Sequence, residues 1–140
     1  MYSVLRGDLL MSEGKANAQA GHAYVDALLH SLDHPDPAIS ARAGAYKALR
    51  PGTKICLDGG TEARFFSLIE RLRLENIPHV VITDRDHIEP PHFDGSPVVT
   101  AIGIGPLTRA ATPKFLRKPS LWAGGARHRL LNAPKGRCAM

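Results

Sequence analysis

Short apolar runs, each closed by a turn signal and alternating with helical segments, limit this 140-residue chain more than any other feature. Tyr2 to Leu5 is rich in strand formers, and Gly7 and Asp8 turn the chain after it. Ser12 is a candidate N-cap for a helix over about 13–31, and the breaker DHPDP at 33–37 separates it from a second helix over 38–49. Lys54 to Leu57 reads as a second strand, closed by Asp58, Gly59, Gly60 and Thr61. Phe65, Phe66, Leu68, Ile69, Leu72 and Leu74 then recur with the 3.6-residue period of a helix that buries one face. Val80, Val81 and Ile82 form a β-branched run, as do Val98, Val99 and Ile102 around Thr100 and Ala101, so both read as buried strands joined by a long loop. The order β-α-α-β-α-β-β points to a single α/β domain with helices covering the sheet. A chain of this length has room for one hydrophobic core.

The first helix carries two stripes. At 100° per residue, Lys15, Gln19, His22 and Asp26 fall within about 60° of one another and share a polar face. Ala16, Ala20, Ala23 and Ala27 lie beside them, small enough to bring the helix close to a sheet. Pattern alone favours the plain solvated face of an amphipathic helix over a reactive face, and periodicity does not settle the choice.

The formal charge of +5 is unevenly spread. Residues 1–108 hold ten lysines and arginines against all thirteen carboxylates, while 109–140 hold eight bases and no acid. Those bases are interleaved with Pro113, Pro119, Gly124, Gly125, Pro134 and Gly136, which reads as a flexible basic extension over 113–140. Such an arm attracts polyanions, or is a solvated tail without a role of its own. Arg6 and Asp8 interrupt the N-terminal apolar run before it reaches the length of a secretory or membrane-spanning segment, so a cytoplasmic protein without membrane association is expected. Cys56 and Cys138 offer no disulfide framework and read as free thiols.

The segment from Arg6 to Ala23 has the form R-x-D-L-x-M-x-x-G-K-x-x-A-Q-x-x-H-A, matched here by Arg6, Asp8, Leu9, Met11, Gly14, Lys15, Ala18, Gln19, His22 and Ala23. It resembles the signature of the peptidyl-tRNA hydrolase 2 family. Pro51-Gly52-Thr53-Lys54 before the second strand, Asp84 at the end of the third and Gly103-Ile104-Gly105-Pro106 at the end of the fourth resemble the same family in the same order. The likeness runs over about residues 2–112. It implies a mixed four-stranded sheet flanked by helices, often a homodimer, and hydrolysis of the ester of peptidyl-tRNA to peptide and tRNA with no required cofactor.

That ester is activated enough for direct attack by an oriented water, and the chain has no G-x-S-x-G nucleophile elbow. On this resemblance Lys15 stabilises the oxyanion or grips a phosphate. His22 serves as general base, proton donor or hydrogen-bond partner of the substrate. Asp84 orients the water or holds Lys15, Gln19 contacts a carbonyl or the water, and Arg6 and Asp8 complete the substrate-binding set. Read without the family, each has an ordinary role as an exposed helix residue or a turn aspartate. The family pattern also places a threonine and a glutamine soon after the acidic residue, where this chain has Ile88 and Glu89. That exchange removes a hydroxyl and adds a charge that repels phosphate; Thr83 and Thr100 are the candidate hydroxyls to compensate, and the sequence does not fix where they lie. Two other readings therefore stand beside the hydrolase: a catalytically silent binder of tRNA or a protein, and a hydrolase or binder for another small ester or carbonyl compound. Asp84, Asp86, His87, His92 and Asp94 crowd into eleven residues, but without H-E-x-x-H or C-x-x-C spacing a solvated loop is expected rather than a metal site.

Overall fold

The structure, a computed structural model, describes residues 1–133. Strand β1 (Tyr2–Leu5) leads into helix α1 (Glu13–Leu32), whose first turn is capped by the Ser12 hydroxyl accepting from the Lys15 backbone N–H. Asp36 caps α2 (Pro37–Ala48) in the same way, with Pro37 at a helix start where its missing N–H costs nothing. Strand β2 (Ile55–Asp58) is followed by α3 (Glu62–Leu74), capped by Thr61. Next come β3 (His79–Asp84), the two-residue strands β4 (Ile88–Glu89) and β5 (Phe93–Asp94), and β6 (Val98–Ile104). The expected long loop between the last two large strands therefore holds a small antiparallel hairpin, β4–β5.

The main sheet has the order β2-β1-β6-β3. β1 and β2 run parallel, and β6 runs antiparallel to both β1 and β3. It is the mixed four-stranded sheet flanked by helices that the sequence implies. Because β1, β2 and β3 all point the same way, Leu5, Asp58 and Asp84 end at one edge of the sheet. On one face, Val4, Leu57, Ile102 and Ile104 pack against Phe65, Ile69 and Leu72 of α3. On the other, Leu5, Ile82 and Ala101 pack against Ala16 and Ala23 of α1. The alanine stripe does what its size suggests. A Cβ on Gly103 would lie 1.9 Å from the Ala23 carbonyl oxygen, so only glycine lets α1 sit this close to β6.

Pairing between β3 and β6 shifts between Ile82 and Thr83, because Ile82 opposes Ala101 while Thr83 opposes Val99. Thr100 is the extra residue of this bulge. Its side chain turns to the α1 face, the face that Ala101 also occupies.

Residues 113–133 depart from the flexible basic extension. A 3-10 helix (Lys114–Arg117) buries Phe115 and Leu116 in the α3-side core. Beyond it, the Asp58 N–H donates to Ser120 O and the Trp122 N–H to Cys56 O, so this segment covers the outer edge of β2. Helix α4 (Gly125–Leu131) then docks through the Ala126 N–H on Gly7 O. Two apolar side chains and an open sheet edge are enough to hold a segment whose composition favours neither helix nor strand. Lys135, Arg137 and Cys138 lie outside the described residues. Cys56 is a free thiol. No helix among the described residues is long and apolar enough to cross a membrane.

Candidate active site

The first two turns of α1 cross the sheet at the carboxyl end of β3, and the polar stripe divides there. Lys15 and Gln19 are buried, whereas His22 and Asp26 are exposed. Lys15 Nζ lies 2.7 Å from Asp84 Oδ1, with only 8% of the lysine side chain and 15% of the aspartate exposed. Gln19 Nε2 donates to the same Asp84 Oδ1 at 3.4 Å, and the Thr100 hydroxyl donates to Gln19 Oε1. The bulge in β6 thus fixes the amide of Gln19, with its NH2 group toward the carboxylate. The closest approach of Lys15 and the Gln19 hydrogen bond both fall on Oδ1 of Asp84, and Oδ2 accepts no hydrogen bond among the described residues.

The hairpin closes over this network. Phe93, buried on β5, presents its ring to Lys15 Nζ at 5.1 Å from the centroid, and His87 packs edge-on against the same ring at 5.5 Å. Glu89 reaches the start of α1, where both its oxygens lie 3.3 Å from the Ser12 N–H. Burial works to raise the Glu89 carboxyl. Hydrogen bonds from Ser12, with the charges of His87 and Arg127, outweigh it and hold the group below its usual range. The charge that replaces the expected glutamine is therefore directed at a helix N-terminus, where a carboxylate is favoured. Ile88 is 73% exposed and takes no part in the network, whose hydroxyl comes from Thr100. Thr83 is exposed.

Arg6 and Asp8 are turned on each other. Arg6 Nε donates to Asp8 Oδ1 at 3.0 Å and Nη2 to Asp8 Oδ2 at 2.6 Å, with Glu62 of α3 at 3.3 Å from Nη2. The Asp8 hydrogen bond raises the Arg6 pKa above its ordinary value; burial works to raise the Asp8 carboxyl, but Arg6 outweighs it and holds the group low. Arg6 also donates from its backbone to Thr100 O, so the clasp anchors the turn after β1 beside the bulge. His22 stands seven residues along α1 from Lys15, about 10 Å along the axis. Its ring makes no side-chain hydrogen bond or ion pair among the described residues.

The structure thus joins Lys15, Gln19 and Asp84 of the residues singled out from sequence. It sets Arg6 and Asp8 in a neighbouring clasp and leaves His22 on the exposed part of the stripe. Phe93 and Glu89 carry no sequence signal for their contacts with Lys15 and Ser12, since a two-residue strand has no period to read. Burial pushes the Cys56 thiol up, away from the thiolate a nucleophile needs. Among the described residues no three His, Cys, Asp or Glu side chains converge as a metal cluster would.

The model of the family described as Peptidyl-tRNA hydrolase PTH2 matches residues 1–121. The chain belongs to this family. Among relatives named peptidyl-tRNA hydrolase, that of Pyrobaculum aerophilum is 36% identical over 107 residues, covering 76% of this chain and 82% of its own. That of Methanococcus maripaludis strain S2 is 34% identical over 105 residues, covering 74% and 81%. The Methanocaldococcus jannaschii protein is 31% identical over 109 residues, covering 76% and 84%. The PTH2 match spans every element that builds the Lys15–Asp84 network and stops before α4.

Proposed function

We propose that this chain hydrolyses the ester between peptide and tRNA, with water as the nucleophile and Lys15 and Asp84 as the reacting pair. The observation that carries the mechanism is the buried pair with one carboxylate oxygen left over. Asp84 Oδ2 accepts a proton from the attacking water while its oxygen adds to the ester carbonyl. Lys15 Nζ, already aligned by Asp84 Oδ1, donates to the developing oxyanion, a contribution of roughly 10² to 10³ in rate. When the intermediate collapses, the ribose oxygen leaves and takes the proton back from Asp84, giving a free carboxylic acid and a free hydroxyl. Gln19 and Thr100 keep the carboxylate in register. Arg6 and Asp8 act by positioning the turn beside the bulge. His22, exposed along the same stripe, is a hydrogen-bond partner for the bound RNA rather than for the reacting ester.

The same reading has the protein acting in the cytoplasm as a homodimer. Val25 and Leu29, one turn apart on α1, are each more than half exposed, an apolar pair suited to a second copy.

Turnover of a purified N-acylaminoacyl-tRNA, measured as release of the N-acylamino acid, tests the assignment. Lys15→Ala and Asp84→Asn are expected to lower kcat at least about a hundredfold while remaining folded, and His22→Ala to raise KM with kcat within about threefold. Absence of turnover by wild-type protein, on a substrate that another hydrolase cleaves, would move the assignment to a silent tRNA binder.

A further inference from the structure

A groove of about 710 Å³ opens beside the carboxyl end of β2, between α3 and the segment that follows the 3-10 helix. Arg64 and Arg71 of α3 form one wall, Lys118 and Arg129 the other, with Asp58 at the base. The aspartate is already engaged, since Oδ1 accepts from the Gly60 N–H and Oδ2 lies 3.2 Å from Arg129 Nη1. Arg71 lies over the Phe115 ring and contacts Glu75. Arg64 and Lys118 make no ion pair among the described residues, and residues 134–140 contain no acidic side chain that could supply one. Four cations against two carboxylates, Asp58 and Glu75, leave a net positive lining in which Arg64 and Lys118 are the unpaired charges among the described residues, as a polyanion groove requires.

We propose that this groove binds the phosphodiester backbone of the substrate tRNA next to its aminoacylated end. The inference rests on the peptidyl-tRNA reading for the identity of the polyanion. β2 and β3 end at the same sheet edge, three strand spacings or roughly 14 Å apart. An RNA whose 3′ ester sits between Lys15 and Asp84 and whose next phosphates run along that edge reaches the groove within a few nucleotides. The Arg6 clasp, at the end of β1 between the two strands, ties β1 to Glu62 in the first turn of α3. Arg129 lies beyond the PTH2 match, so part of this wall falls outside the stretch that the family model covers.

The Arg64→Ala/Lys118→Ala double variant tests the groove, because both side chains are exposed and outside the core. Its KM for N-acylaminoacyl-tRNA is expected to rise about tenfold with kcat within twofold. The dependence of log(kcat/KM) on log salt should flatten by roughly 1.5, the value for two phosphate contacts. On N-acylaminoacyl-adenosine, which lacks those phosphates, the change should be no more than twofold. Unchanged KM and salt slope on the tRNA substrate would overturn the proposal and leave the hydrolase intact. So would an equal loss on the adenosine ester, which would put the two residues behind the reacting pair, or loss of inhibition by inorganic phosphate with tRNA unaffected, which would make the groove a free-anion site. If wild-type protein shows no turnover, fluorescence anisotropy with uncharged tRNA tests the groove by binding alone. Binding about tenfold weaker in the double variant, with the flatter slope, supports it, and unchanged affinity overturns it.

Discussion

Removing Lys15 alone would leave Asp84 as a largely buried carboxylate without its cation, so a loss of activity in a single variant mixes catalysis with folding. A buried pair broken on one side costs about 3 kcal/mol, whereas replacing both partners by neutral groups of similar shape costs far less. Lys15→Met is therefore expected to lower both stability and kcat. Lys15→Met combined with Asp84→Asn should recover most of the stability, since the asparagine oxygen still accepts from Gln19 Nε2. It should leave kcat at least about a hundredfold down. Urea melts and single-turnover rates on the same samples separate the two effects. Recovery of the rate together with stability would mean that the pair serves the fold alone. Sequence brings Lys15, Gln19 and Asp84 forward through the family motif, but it does not show the bulge that turns Thr100 onto Gln19. A register shift is a property of two strands pairing, and neither strand carries it by itself.

The hairpin β4–β5 meets the start of α1 through Phe93 on Lys15 and through Glu89 on Ser12, and the second contact carries a titrating carboxyl. Glu89 accepts from the Ser12 N–H at the positive end of the helix, and its folded pKa is depressed below 4.5. A depressed carboxylate contributes stability that is fully present above the unfolded value and is lost as pH falls through the folded one. Glu89→Gln keeps an acceptor for Ser12 and removes the charge. It should be less stable than wild type by about 0.5 kcal/mol at pH 7, with the gap closing below about pH 4. Thermal melts of both proteins from pH 3 to 7 would show the curves converging at the acid end, and a constant gap would mean that the charge is not what holds the hairpin. Long periodic elements such as α3, and caps such as Ser12 and Thr61, are legible in the sequence because one residue type at one spacing decides them. The hairpin is not, because four strand residues set among three prolines and several polar groups look like any loop until α1 and Phe93 give them something to pack on.

The chain after residue 112 changes the charge and the outline of the whole domain. Read by composition it is a solvated basic arm, since its prolines and glycines break every period and its bases favour water. Composition averages over the segment, however, and here two residues decide. Phe115 and Leu116 enter the core between α3 and the sheet, and the strand-like stretch at 120–122 covers the edge of β2. Docking the segment also turns Lys118 and Arg129 from diffuse positive charge into one wall of a groove at fixed positions. If this packing is what orders the segment, truncating one anchor should be felt by the entire fold. Phe115 is 8% exposed, so Phe115→Ala removes a buried ring and leaves a cavity worth about 3 kcal/mol. For a domain of this size that corresponds to a fall in Tm of roughly 10 °C. The salt dependence of tRNA binding should weaken in the same variant, because Arg71 loses the ring it rests on and Lys118 loses its mount. An arm that merely trails from the domain predicts neither effect. A Tm within about a degree of wild type, with tRNA affinity unchanged, would mean that the segment carries its charge without being part of the fold.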